Sequence, residues 1–391
     1  MRVAVIGGSI GGLTTALVLR DVGFDVEVFE RTPAVLQGRG AGIVLQPDTV
    51  RWFEEKSRVS VDQVSTSASR LRYLGPRNTI VHEQPGSYRF TSWTTIYQPL
   101  LDDLGLRHYH LGEHFVGLEQ DQDGVDLRFV GGRRERAELV VFADGISSTG
   151  RRRLLPEVEP SYSGYVGWRG TVPEREITAE TLELFLDSLS YVVTGDSHVN
   201  LYPIPGANSE LGAGQRRMNY VWYRNVPLGP ALDELLTDKR GFLAAVSVQP
   251  GQVQDHYVAE LRSAAVAELP PAAAELVAKT AEPFIQTVLD IVVPRMAFGR
   301  VCLVGDAAFA ARPHAAAGTA KAAADAWALG AALRDADGDV PAALAVWEPQ
   351  QLALGRNLVS RVQDMGRRSQ VTGTWTPGDP SLLFGLYGPG R

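Results

Sequence analysis

The chain has 391 residues, 45% of them hydrophobic, with a formal net charge of −7 and one cysteine. That length carries one large or two ordinary domains with a full core. The acidic balance argues against a nucleic-acid partner, and a single cysteine excludes an internal disulfide framework and a cysteine-built metal site; no metal is expected. No apolar run approaches the ~18 residues of a membrane span, and the sequence opens directly on a strand rather than a leader, so a cytoplasmic chain off the membrane is expected.

The opening stretch "RVAVIGGSIGGLTTALVLRDVGFDVEVFER" reads as strand, glycine turn, amphipathic helix and strand. A glycine loop follows at 38–42, and "PDTVRWFEE" opens a helix. Residues 71–96 read as short strands, and "TIYQPLLDDLG" as a helix ending at Gly105. A β-meander with turns at Asp123-Gly124 and Gly131-Gly132 runs into the apolar strand "ELVVFADG". Residues 161–226 are strand-rich, with helices expected around 231–246 and 256–280. "FGRVCLVGDAAFAARPHAAAGTAKAAADAWALGAAL" reads as strand, loop and long helix, with Cys302 a core residue. A helical run containing Pro349 and a Pro/Gly-rich tail complete the chain. The expected class is α/β with an α+β layer. Residues 1–70, 98–162 and 276–350 form a discontinuous Rossmann-like domain; residues 71–97 and 163–275 form an inserted mixed-sheet substrate domain; residues 351–391 form a C-terminal helix and tail.

Three turns carry the chemistry. In the first, Gly7 and Gly12 occupy the outer places of a G-x-G-x-x-G fingerprint and Ser9 the middle one. Gly7 makes the exit from the strand, Gly12 lets helix and sheet approach, and the Ser9 hydroxyl can reach a phosphate oxygen at the helix N-terminus. Glu30 ends the second strand, where a carboxylate accepts from ribose hydroxyls. This fingerprint alone does not choose between NAD and FAD. In the second and third turns, Asp144-Gly145 and Gly305-Asp306 each follow an apolar strand, at the strand end where open α/β sheets bind ligands.

Taken in this order, the three turns, together with "YSGYVGWRG", "YPIPG" and "GDAAFAARPHAAAGTAKA", resemble the class A flavoprotein aromatic hydroxylases over nearly the whole chain, and within them the branch acting on dihydroxypyridines. The resemblance implies a Rossmann-like FAD-binding fold and a monooxygenase that consumes O₂ and NADH or NADPH. Reduced FAD would carry oxygen as a C4a-hydroperoxide to a hydroxylated aromatic or N-heteroaromatic ring such as 2,6-dihydroxypyridine. It implies that Gly7, Ser9, Gly12 and Glu30 bind the ADP half of FAD, with Arg31 and Arg39 beside it. Asp144, Gly145, Ser148 and Arg151 would bridge FAD and the nicotinamide nucleotide. Gly305 and Asp306 would hold the ribityl chain, and Pro313 through Ala317 and Gly318 would lie along the isoalloxazine. The chain departs from the wider family at Ser9, at Phe309, at "HAAAG" and at Trp93, where the family tends to have Gly, His, a Gly-Gln-Gly-like loop and Arg.

Other residues carry two readings. His314 is a packed loop histidine or, by the resemblance, a catalytic base beside the flavin. Tyr202 is the first choice among the aromatics for the pocket and for a catalytic part; Tyr191, Trp222 and Tyr223 are core or substrate contacts. Arg169 is a buried ion-pair partner or the anchor of an anionic substrate. Arg312 reads as a solvated charge, the 133–136 "RRER" run as a solvated hairpin face, and Arg152 and Arg153 as surface. A homodimer is compatible with the sequence. The alternatives are a flavin-independent nicotinamide dehydrogenase and a non-catalytic FAD-binding protein.

Overall fold

The computed structural model describes residues 1–36 and 42–388. Arg39, expected beside the cofactor, lies outside them. Three strands, Arg2–Ile6, Leu139–Phe142 and Val301–Leu303, are apolar and buried on both faces, apart from the exposed Arg2 at the start of the first, as parallel strands covered by helices must be. They are adjacent in a six-stranded sheet ordered 297–298, 301–303, 139–142, 2–6, 25–30, 109–111, parallel except for its first pair. The helices Ile10–Asp21 and Gly318–Asp335 pack on it and on each other through small residues: a Cβ on Gly330 would meet Val18 at 2.7 Å. The turns at 7–9, 143–148 and 304–306 therefore leave the carboxyl ends of three neighbouring strands. This is the crevice where such sheets take ligands.

The expected meander forms a three-stranded sheet, 115–120, 125–129 and 134–137. The second layer is a nine-stranded mixed sheet ordered 247–248, 284–290, 161–173, 217–225, 198–204, 188–193, 66–74, 80–92, 42–45. It takes in 42–45, 66–70 and 284–290, segments expected with the cofactor domain. Two long strands, Thr66–Leu74 and Ile80–Ser92, replace the short ones expected there.

Alternation divides the sheet into two faces. Val166, Trp168, Tyr220 and Trp222 pack outward in a core with the helices Asp255–Glu268 and Pro271–Lys279. Tyr165, Arg169, Val221, Tyr223, Asn200 and Tyr202 occupy the other face. The helix expected at 231–246 ends at Leu236. The last helix, Val340–Gln370, passes through Pro349 unbroken, and the tail is docked, burying Trp375, Leu382 and Leu386. No helix among the described residues is long and apolar enough to cross a membrane.

Candidate active site

A cleft of ≈ 530 Å³ separates the three strand-end turns from the inner face of the large sheet. On its floor the glycines have no room for side chains. A Cβ on Gly12 would sit 1.9 Å from the Gly7 carbonyl oxygen, and one on Gly8 2.1 Å from the Tyr109 hydroxyl. Gly7 has φ +105°, where only glycine is unstrained. Ser9 lines the cleft and precedes the first helix without capping it, and its hydroxyl has no hydrogen bond among the described residues. The Glu30 carboxylate accepts from Gly8 N–H at 2.8 Å and from Thr32 N–H and hydroxyl at 2.9 and 2.7 Å. It thus fixes the turn and keeps lone pairs for a further donor. Arg31 is exposed beside it.

At the second turn Gly145 lines the cleft with φ +76°. Asp144 does not line it. One carboxylate oxygen accepts from Thr149 and Gly150 N–H, at 2.7 and 3.2 Å, and the other is buried without a partner. Burial raises its pKa. Ser148 is likewise spent, capping the same helix by accepting from Arg151 N–H at 2.9 Å. Arg151, expected to steer a nicotinamide nucleotide, is 1% exposed. Its guanidinium donates to the Ile146 and Ala307 carbonyls at 2.7 and 3.1 Å, tying the second turn to the third. The residue positions the loops and does not reach solvent.

At the third turn Gly305 and Asp306 line the cleft. The Asp306 carboxylate opens into the cleft without a hydrogen bond among the described residues, and the surrounding walls raise its pKa against the pull of Lys321 and Arg151. Beneath this turn lies a pair that the sequence reading missed. Asp325 accepts Gly305 N–H at 2.8 Å and Lys321 Nζ at 2.7 Å, both side chains essentially buried. Their i,i+4 spacing in "KAAAD" was the available signal. Lys321 also sits 4.8 Å from the centre of the Phe309 ring. Pro313, Ala317 and Gly318 line the cleft as expected, and Trp93 adds an apolar wall, stacked on Tyr97 at 4.4 Å.

On the sheet wall, Tyr202, Tyr223 and Arg169 line the cleft together with Asn200 and Gln286. Arg169 is half-buried and has no ion pair or hydrogen bond among the described residues. Burial pushes the Tyr202 hydroxyl up to about 12 and raises that of Tyr223, while Arg169 pulls both the other way. The Tyr223 hydroxyl and the Asn200 side-chain oxygen are buried without partners.

Four expectations are corrected. Trp222 faces the outer core, its indole donating to Ser197 at 2.8 Å, because it alternates with Val221 and Tyr223. Tyr191 faces inward but is covered by Trp375 and Phe384 of the tail, at 6.0 and 5.4 Å between ring centres. His314 is 1% exposed and is not on the cleft wall; Tyr165 meets its Nε2 at 2.6 Å. Burial, His198 and Arg312 hold its pKa well below the ordinary value, so it is neutral. Arg312 is no solvated charge: it grips Asp290 with contacts of 2.7 and 3.0 Å. His198, fully buried with neither ring nitrogen partnered, also went unnoticed, although its spacing from Asn200 and Tyr202 puts all three on one face.

The glycine cradle, the Ser9 hydroxyl and the open Asp306 carboxylate suit a dinucleotide with a pyrophosphate and hydroxyl-bearing chain, which is what FAD presents. Comparison with known proteins agrees. A family model described as "FAD binding domain" matches residues 1–210 and 247–341, and one described as "FAD binding domain-like" matches residues 162–290. The chain is 41% identical over 389 residues to 2,6-dihydroxypyridine 3-monooxygenase of Paenarthrobacter nicotinovorans, covering 98% of this chain and 96% of the relative. It is 26% identical to the FAD-dependent urate hydroxylase of Klebsiella pneumoniae, over 96% and 93% of the two chains. Among solved structures, 2,6-dihydroxypyridine-3-hydroxylase from Arthrobacter nicotinovorans superposes with a TM-score of 0.92 at 40% identity, covering 98% and 96%. A Klebsiella pneumoniae HpxO structure with FAD and uric acid shares the fold, with a TM-score of 0.79 at 24% identity, covering 98% and 90%.

Proposed function

Since the chain belongs to the FAD binding domain family and is an FAD-dependent aromatic hydroxylase, we propose that its substrate is a small hydroxylated N-heteroaromatic ring of the 2,6-dihydroxypyridine kind, bound as its anion. The observation carrying this reading is Arg169, a cation on the cleft wall with no ion pair among the described residues, on the same wall as two tyrosines. The names of the full-length relative and of the solved structure support the ring class.

FAD, reduced by NAD(P)H, supplies activated oxygen when bound. Gly7, Ser9, Gly12, Glu30, Gly145, Gly305 and Asp306 would hold it along the three turns, with Pro313, Ala317 and Gly318 on the far side of the cleft. The chain's own residues then have three tasks. The first is charge: a unit charge at 4 Å and an effective dielectric of 20 contributes about 4 kcal/mol. Arg169 therefore favours a ring oxyanion, and an electron-rich ring, without a side-chain base. The second is orientation. Tyr202 and Tyr223 keep their protons at neutral pH and donate to ring oxygens, while Asn200 offers a carbonyl oxygen to a ring N–H. The third is dryness. Gly385 N–H donates to Ala315 O and Leu386 N–H to Gln46 Oε1, both at 2.8 Å, and Gln46 also donates to Ala316 O. The tail thus braces, from behind, the loop whose Ala316 lines the cleft.

The test is a panel of hydroxypyridines and phenols scored for hydroxylated product per NAD(P)H oxidised. Tight coupling with dihydroxypyridines supports the reading. Coupling confined to phenols without a ring nitrogen would overturn the substrate class.

A further inference from the structure

Behind the cleft wall, a run of hydrogen bonds starts from a group that can only donate. Asp290 holds Arg312 through two guanidinium nitrogens and also accepts from Gln363 at 3.0 Å. Arg312 Nη1 lies 3.3 Å from the Tyr165 hydroxyl oxygen, which lies 2.6 Å from His314 Nε2. A guanidinium only donates, so the Tyr165 oxygen accepts from Arg312; with that lone pair engaged, the hydroxyl is better placed to give its own proton to His314 than to accept a second bond. His314 Nε2 is then an acceptor, and a neutral ring carries its proton on Nδ1. That Nδ1 is buried without a partner, among the rings of Tyr223 and His198 at 4.9 and 5.1 Å between centres.

From this geometry we infer that Tyr165, Arg312 and Asp290 are positioning residues for hydroxylation, which lock His314 as the Nδ1–H tautomer and so present a donor, not a base, behind the Tyr223 wall of the cleft. The donors run one way, from Arg312 through Tyr165 to His314. The next group without a partner is the Tyr223 hydroxyl, which lines the cleft. No hydrogen bond joins His314 to that hydroxyl among the described residues; the lock reaches the cleft wall through the packing of the two rings, 4.9 Å between centres. The backbone holds the chain of groups in register: a Cβ on Gly366 would come within 2.4 Å of the Tyr165 hydroxyl, 2.9 Å of His314 Nε2 and 3.0 Å of Arg312 Nη1. The loop carrying His314 also carries Pro313, Ala316 and Ala317 of the cleft wall, so the same lock sets that wall.

The role in hydroxylation rests on the monooxygenase reading; the tautomer does not. The test is ¹⁵N NMR of histidine-labelled, FAD-loaded protein without substrate, the His314 signals assigned by difference from His314→Gln. The wild type is expected to show a protonated Nδ1 and a bare Nε2. Tyr165→Phe should move the proton to Nε2 or split it between the nitrogens, and lower kcat at least about tenfold with FAD content and KM little changed. A protonated Nε2 in the wild type overturns the lock. An unchanged tautomer in Tyr165→Phe, or a changed tautomer with unchanged kcat, overturns the positioning role. Should Tyr165→Phe lose FAD, Arg312→Lys, which keeps the charge but not the fork, gives the same readings. Absence of all hydroxylation in the wild type would instead count against the function and leave the tautomer result standing.

Discussion

Asp325 accepts the backbone N–H of Gly305 at 2.8 Å while Lys321, one turn earlier on the same helix, closes on the same carboxylate oxygen at 2.7 Å. A buried ion pair thereby holds the turn that presents Asp306. Removing one partner leaves the other charged and unpaired. Lys321→Met or Asp325→Leu alone should each cost about 3–5 kcal/mol, and the double variant much less than their sum. Urea denaturation of the four proteins measures this; additive losses would show that the two side chains do not act as a pair.

The glycine turn makes a graded prediction. Gly12→Ala places a methyl 1.9 Å from a carbonyl oxygen, whereas Gly11→Ala meets only the Ala322 methyl, at 3.2 Å. Gly12→Ala should abolish FAD retention and lower the melting temperature, and Gly11→Ala should leave FAD bound with a shift of a few degrees. Equal effects in FAD titration and thermal melts would contradict the cradle.

Arg169→Gln should weaken substrate binding by about tenfold or more, the equivalent of one charge-assisted hydrogen bond. FAD affinity should hold, because the residue stands on the sheet wall. With its positive field gone, the ring ionises at higher pH, so the pH profile of coupled turnover should move up. Unchanged substrate affinity in a flavin-absorbance titration would remove Arg169 from the site.

Acid should be felt early. Burial lowers the His198 pKa to about 3 in the folded chain, against about 6.5 when unfolded. The unfolded state therefore binds the extra proton between those values, and stability falls as pH drops below about 6.5, by up to about 1.4 kcal/mol per pH unit for this residue. His314, with its pKa lowered in the same direction, adds to the slope. Urea midpoints from pH 8 to pH 5 should decline in the wild type and decline less in His198→Gln. Equal slopes would contradict the neutral buried imidazole.

The cofactor half of this molecule was legible because glycine turns at strand ends are local: Gly7, Gly12, Gly145, Gly305 and the loop at 313–318 follow one another within short segments, and each does line the cleft or shape its floor. The substrate half was not. Which of Tyr191, Tyr202, Trp222 and Tyr223 faces the cleft depends on strand phase and on what covers the sheet, and the tail that hides Tyr191 comes from the far end of the chain. Polar residues were misjudged for the same reason. Arg151, Arg312 and His314 read as working or solvated groups in isolation, but each is committed to partners distant in sequence, at Ala307, Asp290 and Tyr165.

The central claim, that this FAD-dependent hydroxylase places oxygen on a dihydroxypyridine-like anion, is tested most directly by turnover of 2,6-dihydroxypyridine under ¹⁸O₂ with NAD(P)H. The account predicts one ¹⁸O in the hydroxylated product for each NAD(P)H consumed. Nicotinamide oxidation that yields hydrogen peroxide and unlabelled, unchanged pyridine would contradict it.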